Sequence, residues 1–245
     1  MIPGLSPTLD PMGGAVGVYL EIGAKRTFAG AIEWPGWCRS GRTEDEALEV
    51  LIAYGPRYRA VLGSSSPQFR SPPDVSSLTV VERLKGGTGT DFGVPGSSPG
   101  ADEQPVDERE LARFRRLLAR CWSSFDAAAV AASGVELRKG PRGGGRDLDK
   151  IVAHVRDADE AYLTQLGSIR PNAKDPGSAA EVARLRATVL DALSARARGQ
   201  SAAEPNKVKK LWSPRYHVRR ATWHLLDHAW EIEDRAGLDG GVGKA

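Results

Sequence analysis

The chain has 245 residues, enough for one large domain or two small ones, and a formal charge of only +3, which argues neither for nor against a nucleic-acid partner. Its two cysteines, Cys38 and Cys121, exclude a disulfide framework and a Cys-rich zinc site, and they fit a reduced, cytoplasmic setting. The opening residues lack the basic and apolar regions of a signal peptide, and no apolar run approaches the ~20 residues of a membrane span.

In chain order, Val16-Gly-Val-Tyr-Leu-Glu-Ile22 alternates as a half-buried strand, with Val16, Val18, Leu20 and Ile22 on one face. A turn over residues 23–26 leads to a second short strand, Phe28-Ala-Gly-Ala-Ile-Glu33, so the pair reads as a hairpin. Trp34-Pro-Gly-Trp37 must interrupt the sheet, because proline and glycine there cannot continue a ladder. Thr43-Glu-Asp-Glu46 is a capping-box pattern, and Ala47, Leu48, Leu51 and Ile52 follow it at helical spacing. Gly55-Pro56 should kink or split that helix, since proline removes a backbone donor and clashes with the preceding turn. Residues 64–106 read as loop and linker, with a strand expected over residues 78–84. Residues 86–104 carry glycine, serine, proline and aspartate without periodicity, the composition of a flexible connection.

Four amphipathic helices are expected over residues 107–240. Leu111, Phe114, Leu118, Cys121 and Phe125 form the first stripe, behind a possible capping box at Asp107-Glu-Arg-Glu110. Ile151, Val155, Ala158, Tyr162 and Leu166 form the second, and Val182, Leu185, Val189 and Leu193 the third, capped by Ser178. The last runs from an N-cap at Ser213, with Pro214 at its first position, to a stop at Gly237. Four such helices without strands argue for a four-helix bundle, so the expected class is α+β: a small β-β-β-α module, then an all-α bundle.

The last helix carries three of the four histidines. His217, His224 and His228 fall within about 40° of one another around its axis. His154 lies at the edge of the second helix's apolar stripe. His224 and His228 are one turn apart and can chelate one divalent ion, and a third imidazole from a neighbouring helix would complete a facial set with open positions. The same residues also fit core-edge histidines hydrogen-bonded to carboxylates such as Asp227 or Glu231. Asp157, Glu160, Asp227 and Glu231 are candidates for orienting the imidazoles, or for plain exposed helix charges. Two basic stretches, Arg138-Lys-Gly-Pro-Arg-Gly-Gly-Gly-Arg146 and Lys207-Val-Lys-Lys210, could dock an anion or serve as solvated loops. Arg219 and Arg220 are expected opposite the histidines, facing solvent.

Two resemblances follow. Phe28-Ala-Gly-Ala-Ile-Glu-Trp-Pro-Gly-Trp-Cys with Ser40-Gly-Arg-Thr-Glu-Asp-Glu-Ala-Leu48, within residues 15–63, resembles the core of HicB-type antitoxins. That implies a β-β-β-α module that binds a protein partner; no DNA-binding pattern accompanies it, so nucleic acid is not expected. Asp149-Lys-Ile-Val-Ala-His-Val-Arg-Asp-Ala-Asp-Glu-Ala-Tyr162 and Arg220-Ala-Thr-Trp-His-Leu-Leu-Asp-His-Ala-Trp-Glu231 resemble two helices of the DinB/YfiT-like metal-binding bundles. This implies His154, His224 and His228 as metal ligands, with zinc or nickel as the ion. It also implies a small-molecule substrate, a homodimer, and a transferase or detoxifying isomerase that uses a low-molecular-weight thiol such as mycothiol. Many members continue with His-Arg-Gly-Gln after the histidine pair, whereas here Ala229-Trp-Glu-Ile follows; a slip of one turn would bring in His217 or Glu231. The competing expectation is a non-catalytic interaction protein built around the HicB-like module.

Overall fold

The computed structural model describes residues 15–66, 68–139, 145–169, 172, 174–200 and 211–238. The fold is α+β, with a sheet in the first part of the chain and packed helices in the second. The chain divides into two compact units, residues 1–97 and 98–245.

In the first unit, β1 (Val16–Ile22), β2 (Thr27–Ala31), β3 (Cys38–Gly41) and β4 (Leu78–Lys85) form one sheet in the order β3-β2-β1-β4. β2 pairs antiparallel with both β1 and β3, whereas β4 runs parallel to β1. A parallel pair needs a crossover, and the chain between them supplies α1 (Glu44–Ala53) and α2 (Gly55–Leu62). Thr43 caps α1 by accepting from the Glu46 amide at 3.1 Å. The helix is split at Tyr54, as Gly55-Pro56 demands, and the proline sits in the first turn of α2 where its missing donor is harmless. The Trp34-Pro-Gly-Trp37 turn is pinned from inside. Trp37 Nε1 donates to the Leu51 carbonyl and the Tyr58 hydroxyl to the Pro35 carbonyl, both at 2.8 Å, and Phe69 packs edge-on against both rings.

One expectation is corrected here and one is extended. β1 is buried on both faces rather than one. The strand expected over residues 78–84 is present as β4, and the stretch around it also holds the short helix α3 (Thr88–Asp91) and a 3-10 turn, Gly100–Glu103. The buried Glu21 carboxylate accepts from Thr90 Oγ1 at 2.5 Å and from the amides of Gly96 and Ser97 at 3.0 and 2.9 Å. Residues 86–97 are thus fastened through two backbone amides and one threonine hydroxyl, which leave no apolar periodicity in the sequence.

In the second unit, α4 (Glu108–Ala131), α5 (Leu148–Gln165), α6 (Ala179–Ala197) and α7 (Pro214–Ala236) pack as four helices, with α4 and α5 each against both α6 and α7. Asp107, Asp147, Ser178 and Ser213 each accept an amide proton of the first turn, so every one of these helices starts on a side-chain cap. Gly237 closes α7 in the left-handed conformation, φ 72°. α7 is buried along its apolar stripe of Val218, Ala221, Leu225, Ala229 and Ile232, and on its flanks through Trp223 and Trp230. Its first half is tied to the 3-10 turn by a buried ion pair, Arg219 with Asp102, both contacts 2.8 Å. Among the described residues no helix is long and apolar enough to cross a membrane.

Candidate metal centre

The geometry of the site follows from two helix registers. On α7, His224 and His228 are one turn apart, with ring centroids separated by 4.6 Å. α5 lies alongside and presents His154 to both, 5.0 Å from each ring and steeply inclined to them. His154 Nε2 and His224 Nε2 are 3.1 Å apart. Each of the three residues offers a ligand nitrogen, and these nitrogens lie within 4.8 Å of one another. Nitrogens 2.0–2.1 Å from one tetrahedral ion stand roughly 3.4 Å apart, a spacing that the His154–His224 pair approaches. The group could hold a metal ion.

Charge state supports this. Burial, the Arg146 charge and His228 hold His154 below the usual imidazole range. His224 is held well below it, by burial first, then by His228 and Arg220. Both rings therefore stay neutral near pH 7, and a neutral imidazole keeps the lone pair that a metal needs. Around His228 the support is geometric. Its Nδ1 donates to Glu231 Oε2 at 2.8 Å, and Arg235 Nη1 donates to Glu231 Oε1 at 2.7 Å. That bond commits Nδ1 and leaves Nε2 as the ligand atom, the usual arrangement of a carboxylate behind a metal-binding histidine. Glu231 titrates low: burial opposes its charge, but the His228 and Arg235 contacts outweigh it. Arg235 is fixed in turn by donating to the Arg138 carbonyl at 2.7 Å.

The structure separates the candidates that sequence spacing groups together. His217, though on the same face of α7 as His224 and His228, is outside the cluster. It is 1 % exposed, and neither ring nitrogen has a hydrogen-bond partner among the described residues. Glu231 joins through His228, while Asp157 bonds Arg156 at 2.8 Å and faces outward. Arg219 and Arg220 do not face solvent as expected: Arg219 is buried on Asp102, and Arg220 lies over the rings of Tyr162 and Trp223. Arg220 precedes His224 by four residues, which is one turn, so both belong to the same side of the helix. That spacing was available in the sequence and points to Arg220. Of the basic stretches, residues 140–144 and 207–210 lie outside the described residues. Arg138 bonds carbonyls of the last turn of α7, at Asp234 and Arg235.

Compared with protein-family models, with curated proteins and with solved structures, the chain matches none of them.

Proposed function

We propose that the four-helix unit is a metal-dependent enzyme of the DinB-like class, in which a divalent ion, zinc or nickel, works with a low-molecular-weight thiol of the mycothiol type. The reaction would be transfer to, or isomerisation of, a small electrophilic substrate. The observation that carries the reading is the convergence of His154, His224 and His228 with their nitrogens within 4.8 Å. Three imidazoles from two helices would fill one side of an ion and leave other positions to ligands from outside the chain. Bound there, the ion would supply Lewis acidity that lowers the pKa of a coordinated thiol toward neutrality. The chain's own contribution is positional: Glu231 fixes the His228 tautomer, Arg235 fixes Glu231, and Tyr162, with its ring 5.8 Å from that of His224, walls the site. The test is metal analysis of the purified protein beside His224→Ala, followed by thiol titration of whichever metal form is retained. Equal metal content in the two proteins would sink the assignment.

A second reading concerns the first unit, as a module that binds a protein partner. It rests on β4, which among the described residues pairs with β1 alone and exposes alternate residues, Val81 among them at 57 %. An extended segment of a partner could add there as a further strand. Capture with the full chain should recover one specific protein, and Val81→Lys should abolish that capture. Recovery unaffected by the substitution would count against this edge.

A further inference from the structure

Arg220 stands beside the histidine centre: its guanidinium lies over the Tyr162 ring, 5.6 Å from the centroid, and that ring is 5.8 Å from the ring of His224. The nearby carboxylates have other partners: Glu231 is shared between His228 and Arg235, and Asp157 bonds Arg156. A divalent ion on three imidazole ligands would keep its full charge with a guanidinium close by. Such an arrangement is favourable only when an anion joins it.

Arg220 has the form of a receptor for that anion. Its guanidinium carbon lies 4.7 Å from the Trp223 ring centroid and 5.6 Å from that of Tyr162, so aromatic faces hold the group. Its Nη1 is buried and has no hydrogen-bond partner among the described residues. A buried N–H without an acceptor is costly, and a bidentate carboxylate is the partner whose geometry matches a guanidinium. Arg220 stands one turn before His224, with Tyr162 touching both, so a small ligand reaches the ion and the guanidinium together.

We infer that the open positions of this centre receive a carboxylate-bearing small molecule, and that Arg220 holds its carboxylate. The inference rests on the reading that the three histidines bind a metal. The carboxylate could belong to the thiol or to the second substrate. Full-length protein loaded with cobalt(II) tests both, because its visible spectrum reports ligands at the ion. Cobalt stoichiometry comes first: if wild type retains no cobalt, the metal reading fails and this inference with it. With cobalt bound, acetate, acetamide, 2-mercaptoethanol and 3-mercaptopropionate are titrated separately, and acetate also in the presence of 2-mercaptoethanol.

If the carboxylate belongs to the thiol, 3-mercaptopropionate binds more tightly than 2-mercaptoethanol and Arg220→Gln removes the advantage. If it belongs to the substrate, acetate binds beside 2-mercaptoethanol and Arg220→Gln weakens acetate alone. In either arm the loss should be roughly 10- to 100-fold at unchanged cobalt content, the worth of a charge-assisted bidentate contact. Arg220→Lys keeps the charge without the fork and should fall between, which covers the case in which the glutamine variant does not fold. The inference is overturned, with the metal reading intact, if cobalt-loaded wild type prefers neither carboxylate over its neutral analogue. Arg220 variants that bind the carboxylates as well as wild type also overturn it.

Discussion

His217 and His224 stand two turns apart on the same side of α7, and both are nearly inaccessible, at 1 % and 7 % exposed. Their surroundings differ in kind. His224 meets two other imidazoles and Tyr162, within reach of Arg220. His217 meets the Trp212 ring at 6.2 Å and has no partner for either nitrogen among the described residues. Burial lowers the proton affinity of both, to about 3 for His217, so neutrality alone does not make a ligand. What separates them is convergence: α5 delivers His154 at the level of His224 and His228 and not two turns earlier.

The largest expected effect breaks the comparison at its centre. His154→Ala and His224→Ala should each reduce bound metal to background, because two imidazoles hold an ion far more weakly than three. His217→Leu should leave metal stoichiometry at the wild-type level. Metal analysis after exhaustive dialysis of the three variants reads all of this. Loss of metal in His217→Leu together with retention in His154→Ala would invert the assignment and favour the slipped register.

The next effects lie in stability against pH, and they have opposite signs. The folded-state pKa of His217, about 3, is below the ordinary 6.5, so the folded chain binds fewer protons than the unfolded one between those values. Stability from this group is complete above pH 6.5 and is lost as pH falls toward 3. From pH 7 to pH 5 the loss should be about 2 kcal/mol, and His217→Leu should remove it. That variant should also be more stable at pH 7 by about 1–3 kcal/mol, since it takes away buried polar atoms without partners. Asp159 acts the other way. It is 6 % exposed, accepts one bond from Trp122 Nε1 at 2.9 Å, and burial pushes its pKa up to about 7. The folded chain then holds an extra proton between the ordinary 3.8 and 7, so stability falls as pH rises through that window. Asp159→Asn keeps an acceptor for Trp122 and should gain about 2–3 kcal/mol on wild type between pH 5 and pH 8. Urea midpoints at the three pH values check both; parallel profiles for wild type and variants would refute the buried-titration account.

These same residues mark how far the sequence could be read. Caps are local, and Thr43, Asp107, Ser178 and Ser213 all cap the helices whose starts they mark in sequence. The break at Gly55-Pro56 is equally local, and so is the one-turn spacing of His224 and His228. The convergence of His154 on that pair, as a residue from another helix, follows from a face shared with the apolar stripe. Burial of polar groups was not legible. Asp159 takes the place in the core where Ala158 was expected, because its partner is Trp122, 37 residues away. Glu21 fastens residues 86–97 over a separation of 69 to 76 residues, through the Thr90 hydroxyl and two backbone amides of a kind any sequence possesses. Arg219 is buried on Asp102 at a separation of 117. Periodicity predicts where apolar side chains go; a buried charge is decided by one distant partner, and no local pattern encodes that.

The smallest expected effect sharpens the contrast between a ligand that is held and one that is merely near. Glu231 reaches the centre only through His228 Nδ1, and Arg235 fixes its other oxygen. Glu231→Gln preserves size and one acceptor but loses the charge that binds both partners. His228 can then rotate, or place its proton on either nitrogen. Metal affinity should drop roughly 10- to 100-fold, the cost of losing an outer partner of a metal-bound imidazole. The ratio of metal to protein should stay at its wild-type value once metal is in excess. Glu231→Ala should fall further, because Arg235 then also loses its anchor near the ligand. A competitive chelator titration gives both affinities. If the two variants match wild type, His228 is held by packing alone and the carboxylate is incidental. If Glu231→Gln instead abolishes binding at saturating metal, Glu231 is itself a ligand, and the centre is three histidines and a carboxylate.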